Sequence, residues 1–130
     1  ASQGIAGELE LLAGKNIRGC TACGGCREAK DESCPGQAGD DFAAIFEKMV
    51  RADILIVGSP VYFGSATPEL MALLDRAGYV SRSNGHLFSR KIGGPVALAR
   101  DAGAVNEDTE ALATLDRFAD NLAWLAEKLG

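Results

Sequence analysis

Residues 54–68 read Ile54-Leu55-Ile56-Val57-Gly58-Ser59-Pro60-Val61-Tyr62-Phe63-Gly64-Ser65-Ala66-Thr67-Pro68: an apolar run, a loop and a helix start in direct succession. The unbroken run Ile54 to Val57, rich in β-branched residues and ending at Gly58, has the composition of a strand covered on both faces within a parallel sheet. Thr67-Pro68 is a cap followed by proline at the first helical position, and the helix it opens is predicted to run through Leu70, Met71, Leu74 and Ala77 to Gly78. The loop between them falls at the carboxyl end of a strand and the N-terminus of a helix, where open α/β sheets bind ligands.

The flanking sequence extends the same pattern. After Asp40-Asp41, either of which can cap a helix, Phe42, Ile45, Phe46, Met49 and Val50 recur at the spacing that places them on one helical face. Glu8-Leu9-Glu10-Leu11-Leu12 is a candidate short strand, and Pro95-Val96-Ala97-Leu98-Ala99 is a third. Leu112, Leu115, Phe118, Leu122, Leu125 and Leu129 predict an amphipathic closing helix. Strands alternating with helices indicate a doubly wound parallel α/β sheet. Between Ala13 and Gly39 lies a Gly-, Cys- and Asp-rich stretch without a sustained period, which reads as a functional loop or a linker.

With 130 residues, 47% hydrophobic and 24% charged, the chain suits one domain over residues 1–130 with a single core. A net charge of -5 argues against nucleic-acid binding, which needs Lys and Arg to displace phosphate counterions. Any phosphate held here must rely on backbone amides. No apolar run approaches the roughly 20 residues that span a bilayer, and Ala1-Ser2-Gln3-Gly4 shows no basic region followed by an apolar one, so a cytoplasmic chain without a membrane partner is expected.

The four cysteines fall in one window, Cys20-x2-Cys23-x2-Cys26-x7-Cys34. A disulfide framework would be spread across a fold and would suit a secreted miniprotein better. Structural zinc favours two separated pairs of ligands, whereas three cysteines at successive x2 spacing wrap a tight loop around a cluster whose irons each take one thiolate. A single [4Fe-4S] cluster held by all four is the preferred reading. Zinc, and thiols that bind nothing or cross-link, stay open as alternatives. Gly19, Gly24 and Gly25 allow the backbone to fold closely around the sulfurs.

The residues Ser59, Pro60, Val61, Tyr62, Phe63, Gly64 and Ser65 form the second candidate site. Ser59 and Ser65 offer hydroxyls, Gly64 permits a tight turn, and Tyr62 and Phe63 offer flat apolar contact to a planar ligand. Taken alone, the same residues also suit a core anchor and an ordinary turn.

Ile54 to Arg76, with Gly58-Ser59-Pro60-Val61-Tyr62-Phe63-Gly64-Ser65 at its centre and Leu70-Met71-Ala72-Leu73-Leu74-Asp75-Arg76 after it, resembles the NADPH-dependent FMN reductases. The run Cys20-Thr21-Ala22-Cys23-Gly24-Gly25-Cys26, with Cys34 and Asp40-Asp41 following, is similar to that of the iron–sulfur flavoproteins within this group. The resemblance covers nearly the whole chain. It implies a flavodoxin-like, three-layer α/β/α sheet, an FMN lying against residues 59–65, and homo-oligomers, dimers or tetramers, whose flavin and cluster sites lie near subunit interfaces. It also implies that the loop Arg100-Asp101-Ala102-Gly103-Ala104 approaches the flavin, through Arg100, Ala102 and Gly103; relatives often carry a basic residue at the position of Asp101.

A flavodoxin-like sheet has five strands and the pattern gives three. The first strand with its phosphate loop, and a later strand after Ala104, are missing from these residues. Losing a central strand exposes apolar faces that a marginally stable domain cannot spare. The residues are therefore expected to be parts of a longer chain numbered without gaps, with breaks near Ser2-Gln3 and Val105-Asn106.

His86 reads as an exposed loop residue, Phe118 and Trp124 as packing residues, and Arg82, Arg90 and Lys91 as solvated charges that can attract cofactor phosphates. Three functions follow. The first is an FMN-dependent electron-transfer oxidoreductase with a [4Fe-4S] site, fed by NAD(P)H or a ferredoxin-like donor. The second is an NAD(P)H-dependent FMN or quinone reductase whose cysteines hold zinc or nothing. The third is a non-enzymatic scaffold of the same fold.

Overall fold

The computed structural model describes residues 4–62, 64–98 and 109–129. The expected breaks near Ser2-Gln3 and Val105-Asn106 lie outside these residues, as do Ala99 and the loop Arg100 to Ala104.

Helix α2, Phe42–Arg51, begins after Asp41, and its apolar spacing buries Phe42, Ile45 and Phe46 on one side. The Phe42 and Phe46 rings stack at 5.2 Å, and Phe88 meets Phe46 edge-on at 5.8 Å. Side chains of this kind each contribute about 1.5–3 kcal/mol on full burial. Strand β1, Ile54–Pro60, extends the predicted apolar run by Gly58, Ser59 and Pro60. It pairs in parallel with β2, Ile92–Leu98, from Ile54 opposite Ile92 to Pro60 opposite Leu98. Strand β2 thus starts before the expected Pro95, because the ladder with β1 holds Gly93 and Gly94 extended.

Helix α3, Pro68–Ser83, starts where Thr67-Pro68 predicts, with Thr67 Oγ1 accepting the Leu70 N–H at 3.4 Å. It runs past Gly78, the expected end, and is closed by Asn84, whose N–H donates to the Val80 and Ser81 carbonyls. Leu70, Leu73, Ala77 and Val80 join the α2 residues in the core, with Val57 of β1 packed against them.

Side chains alternate along a strand, so Gly94 faces away from this core. There α4, Thr109–Leu129, lays the Phe118 ring so close that a Cβ on Gly94 would lie 2.3 Å from Phe118 Cζ. Helices therefore lie on both faces of a parallel sheet, the layering of a flavodoxin-like α/β fold. Cover on the α4 side is thin: Ile56 is 47% exposed, and so are Leu115, Leu125 and Trp124 in part. Trp124, expected to pack, is 56% exposed in the isolated chain.

The strand expected at Glu8 to Leu12 does not form. The period of two is present, yet Glu8 and Glu10 both reach Lys48 Nζ of α2, each at 2.6 Å, while Leu9 and Leu11 face outward. An apolar outer face without a neighbouring strand gives the segment no ladder to join. Among the described residues, no helix is long and apolar enough to cross a membrane.

Candidate functional site

The stretch 13–39, expected to be irregular, contains one short helix, α1, Gly25–Ala29, and a tight helical turn at Pro35–Gln37. These bring the cysteines together. Cys20, Cys23, Cys26 and Cys34 all line one cavity of about 90 Å3, closed by Arg76, Tyr79 and Val80 of α3. All four are free thiols.

Each sulfur has its own neighbour. Cys20 Sγ accepts the Ala22 N–H at 3.4 Å, and Cys34 Sγ accepts Arg76 Nε–H at 3.4 Å. The Cys26 thiol donates to Ser83 Oγ at 3.7 Å. Cys23 Sγ lies against Gly36, where a Cβ would stand 2.2 Å from it, so residue 36 must lack a side chain for the thiol to fit. Among the described His, Cys, Asp and Glu side chains, no three stand together as a ligand set for a metal ion. The donor chemistry nevertheless suits one: four soft sulfur donors border one cavity, and N–H groups point at two of them.

Arg76 holds this loop to the core. Its side chain is 1% exposed and pairs with Asp40, 2% exposed, through Nη1 to Oδ2 at 2.5 Å and Nη2 to Oδ1 at 3.3 Å. It also donates to the carbonyls of Arg18 and Gln37, each at 3.1 Å, and lies 4.0 Å over the Phe42 ring. Burial pushes the Asp40 carboxyl up, but hydrogen bonds from Arg76 and from the Arg18 and Phe42 N–H groups outweigh it, and its pKa lies below the ordinary 3.8. Burial likewise opposes the charge on Arg76, and the bonds to Asp40 and Cys34 overcome it, so the guanidinium is held protonated more firmly than usual. At the far edge Asn84 Oδ1 accepts the Glu32 N–H at 3.1 Å, a second tie between the cysteine loop and the end of α3.

The other candidate site sits at the opposite end of α3. Ser59 is buried, and its hydroxyl accepts the Thr67 N–H at 3.0 Å and donates to the Pro60 carbonyl at 2.8 Å. Ser59 is thus engaged within the loop and ties it to the head of the helix. Tyr62 and Ser65 exchange backbone hydrogen bonds at 2.9 and 3.1 Å, closing a turn in which Gly64 has φ +75°. Val61 and Tyr62 are 39% and 64% exposed, an apolar surface at the strand end against which a flat ring can rest. Phe63, like Arg100, Ala102 and Gly103, lies outside the described residues. Along the α3 axis, Thr67 and Arg76 are about 13 Å apart, at 1.5 Å per residue.

Sequence reasoning gave no role to Arg76, to the Asp40 carboxylate as its partner, or to Gly36. One signal was present: Leu73, Arg76, Ala77 and Val80 share a helical face, so a charge occupies a core position. The expected surface charges also divide. His86 is exposed, whereas Lys91 Nζ donates to the carbonyls of Val50 and Ala52, closing the end of α2.

Residues 4–120 match the family described as NADPH-dependent FMN reductase. The chain is 37% identical over 109 residues to an iron-sulfur flavoprotein of Methanocaldococcus jannaschii, a match covering 84% of this chain and 53% of that protein. It is 32% identical over 107 residues to an iron-sulfur flavoprotein of Methanosarcina thermophila, covering 82% and 53% respectively. An iron-sulfur flavoprotein of Archaeoglobus fulgidus is 33% identical over 94 residues, 69% of this chain and 41% of its own. The chain spans about half the length of the curated relatives it matches. No solved structure matches it.

Proposed function

The chain belongs to the NADPH-dependent FMN reductase family, and from that premise we propose that it is the FMN- and cluster-bearing part of an electron-transfer oxidoreductase. The observation that carries this reading is the convergence of Cys20, Cys23, Cys26 and Cys34 on one cavity backed by α3, the helix whose N-terminus carries the 59–65 loop.

The four thiolates would hold a [4Fe-4S] cluster, one thiolate to each iron. Val61 and Tyr62 would support the flavin ring while the Tyr62–Ser65 turn presents backbone groups to its polar edge; no residue of this chain is assigned to the FMN phosphate. When bound, FMN supplies both hydride and single-electron exchange and the cluster supplies single-electron exchange. The protein residues position these groups: Ser59 fixes the loop to the head of α3, and Arg76 fixes the cysteine loop to its middle. The donor would be NAD(P)H or a ferredoxin-like protein. Met71, Leu74 and Tyr79, 50%, 37% and 49% exposed on α3, support assembly into dimers or tetramers.

The separate hydrogen bonds of Cys20, Cys26 and Cys34 also suit a second reading, in which the chain serves an NAD(P)H-dependent FMN or quinone reductase whose cysteines hold zinc or nothing. An ultraviolet–visible spectrum of anaerobically purified protein, with iron and sulfide analysis, separates the two. Flavin bands with about four irons and four sulfides per chain are expected. Flavin bands without iron give the second reading, and neither feature gives a scaffold.

A further inference from the structure

The buried guanidinium of Arg76 reaches a carboxylate, two carbonyls and a thiol at once. Satisfying the Asp40 pair takes only the two Nη groups, yet Nε–H is directed at Cys34 Sγ, and the carbonyls bound, those of Arg18 and Gln37, come from opposite ends of the cysteine loop. Asp40 in turn accepts the Arg18 N–H at 3.0 Å, so the loop ends are tied to each other through one ion pair.

We propose that Arg76 is the positioning residue of the cysteine pocket, holding both ends of the loop together before any metal enters and supplying an N–H···S bond to Cys34 once one is bound. The first half stands on the metal-free chain alone. The second rests on the cluster reading of the preceding section. Lysine cannot take over either task, since one ammonium group lacks the planar fork that serves several acceptors in fixed directions. A bond from a cationic donor to a ligating sulfur favours the more negative, reduced cluster and so raises its potential.

The test compares the parent chain with Arg76→Lys, and with the double variant Arg76→Gln/Asp40→Asn, which leaves neither charge buried without its partner. In the metal-free chain, kept reduced and with chelator present, hydrogen exchange across residues 18–24 and 34–40 is expected to quicken by about tenfold or more in both variants, with β1 and β2 unchanged. Unchanged loop exchange, or a uniform rise across all elements, overturns the positioning role. After anaerobic reconstitution with ferrous iron and sulfide, spectroelectrochemistry of Arg76→Lys is expected to give a lower midpoint potential and several-fold faster iron loss to chelator. An unchanged potential overturns the N–H···S role. Failure of the parent chain to take up iron refutes the cluster reading and with it this second role, while the exchange measurement still decides the first.

Discussion

Replacing Asp40 with Asn is expected to remove about 3 kcal/mol of stability, the lower end of what breaking a buried ion pair costs. The substitution keeps the shape of the side chain and deletes its charge, so Arg76, 1% exposed, is left as an uncompensated buried cation. The loss falls at the lower end because Arg76 keeps the Arg18 and Gln37 carbonyls and the face of Phe42. Urea unfolding followed by circular dichroism at pH 7 measures it, with an unchanged denaturant slope and a melting midpoint about 10 °C lower. The same pair gives a pH signature. The folded pKa of Asp40 lies below its ordinary 3.8, so its contribution is complete above that value and is lost as the pH falls through the folded pKa. The parent chain should therefore lose stability below about pH 4 more steeply than Asp40→Asn. A loss at pH 7 smaller than about 1 kcal/mol would refute the reasoning, since that is the range of a solvated surface pair.

Gly36→Ala should drive the Cys23 thiol out of its place, costing about 1–3 kcal/mol by overpacking and quickening alkylation of Cys23, followed by mass mapping, relative to Cys26. Gly94→Val should lift the Phe118 ring and loosen α4, seen as faster hydrogen exchange over residues 109–129 with α2 unaffected; equal exchange would mean that Phe118 does not anchor the helix. Gly64→Val meets open space but a φ of +75°, so about 1–2 kcal/mol of backbone strain should weaken FMN binding, measured by quenching of flavin fluorescence; unchanged affinity would count against the loop as the ring's support.

The parts of the fold legible in the sequence are those whose cause is local. The β-branched run of β1, the Thr67-Pro68 head of α3 and the one-sided apolar spacing of α2 each state their structure within a few residues. Long-range causes were not legible. Gly78 suggested a helix end, but Tyr79 and Val80 continue the turn and Val80 is drawn into the core. Glu8 to Leu12 alternates like a strand, and only the position of Lys48 shows that its charged side is the one that meets α2. For the site, cysteine spacing announced a common pocket. The residues that complete it, Arg76, Asp40 and Gly36, lie up to 56 positions from Cys20 and meet the thiols only through tertiary packing.

Because a single helix heads the 59–65 loop and backs the cysteine cavity, the two are locked in rotational phase as well as in separation. Each residue of an α-helix advances the side-chain direction by about 100°. One residue inserted between Thr67 and Arg76 would leave the cap on Leu70 formed if placed after that position, yet would swing the guanidinium a quarter-turn or more away from Cys34. Length change in α3 is therefore forbidden by angle before it is forbidden by distance. Whole-turn changes alone would keep Arg76 facing the thiols, and those would shift it along the axis, away from the loop carbonyls that it binds.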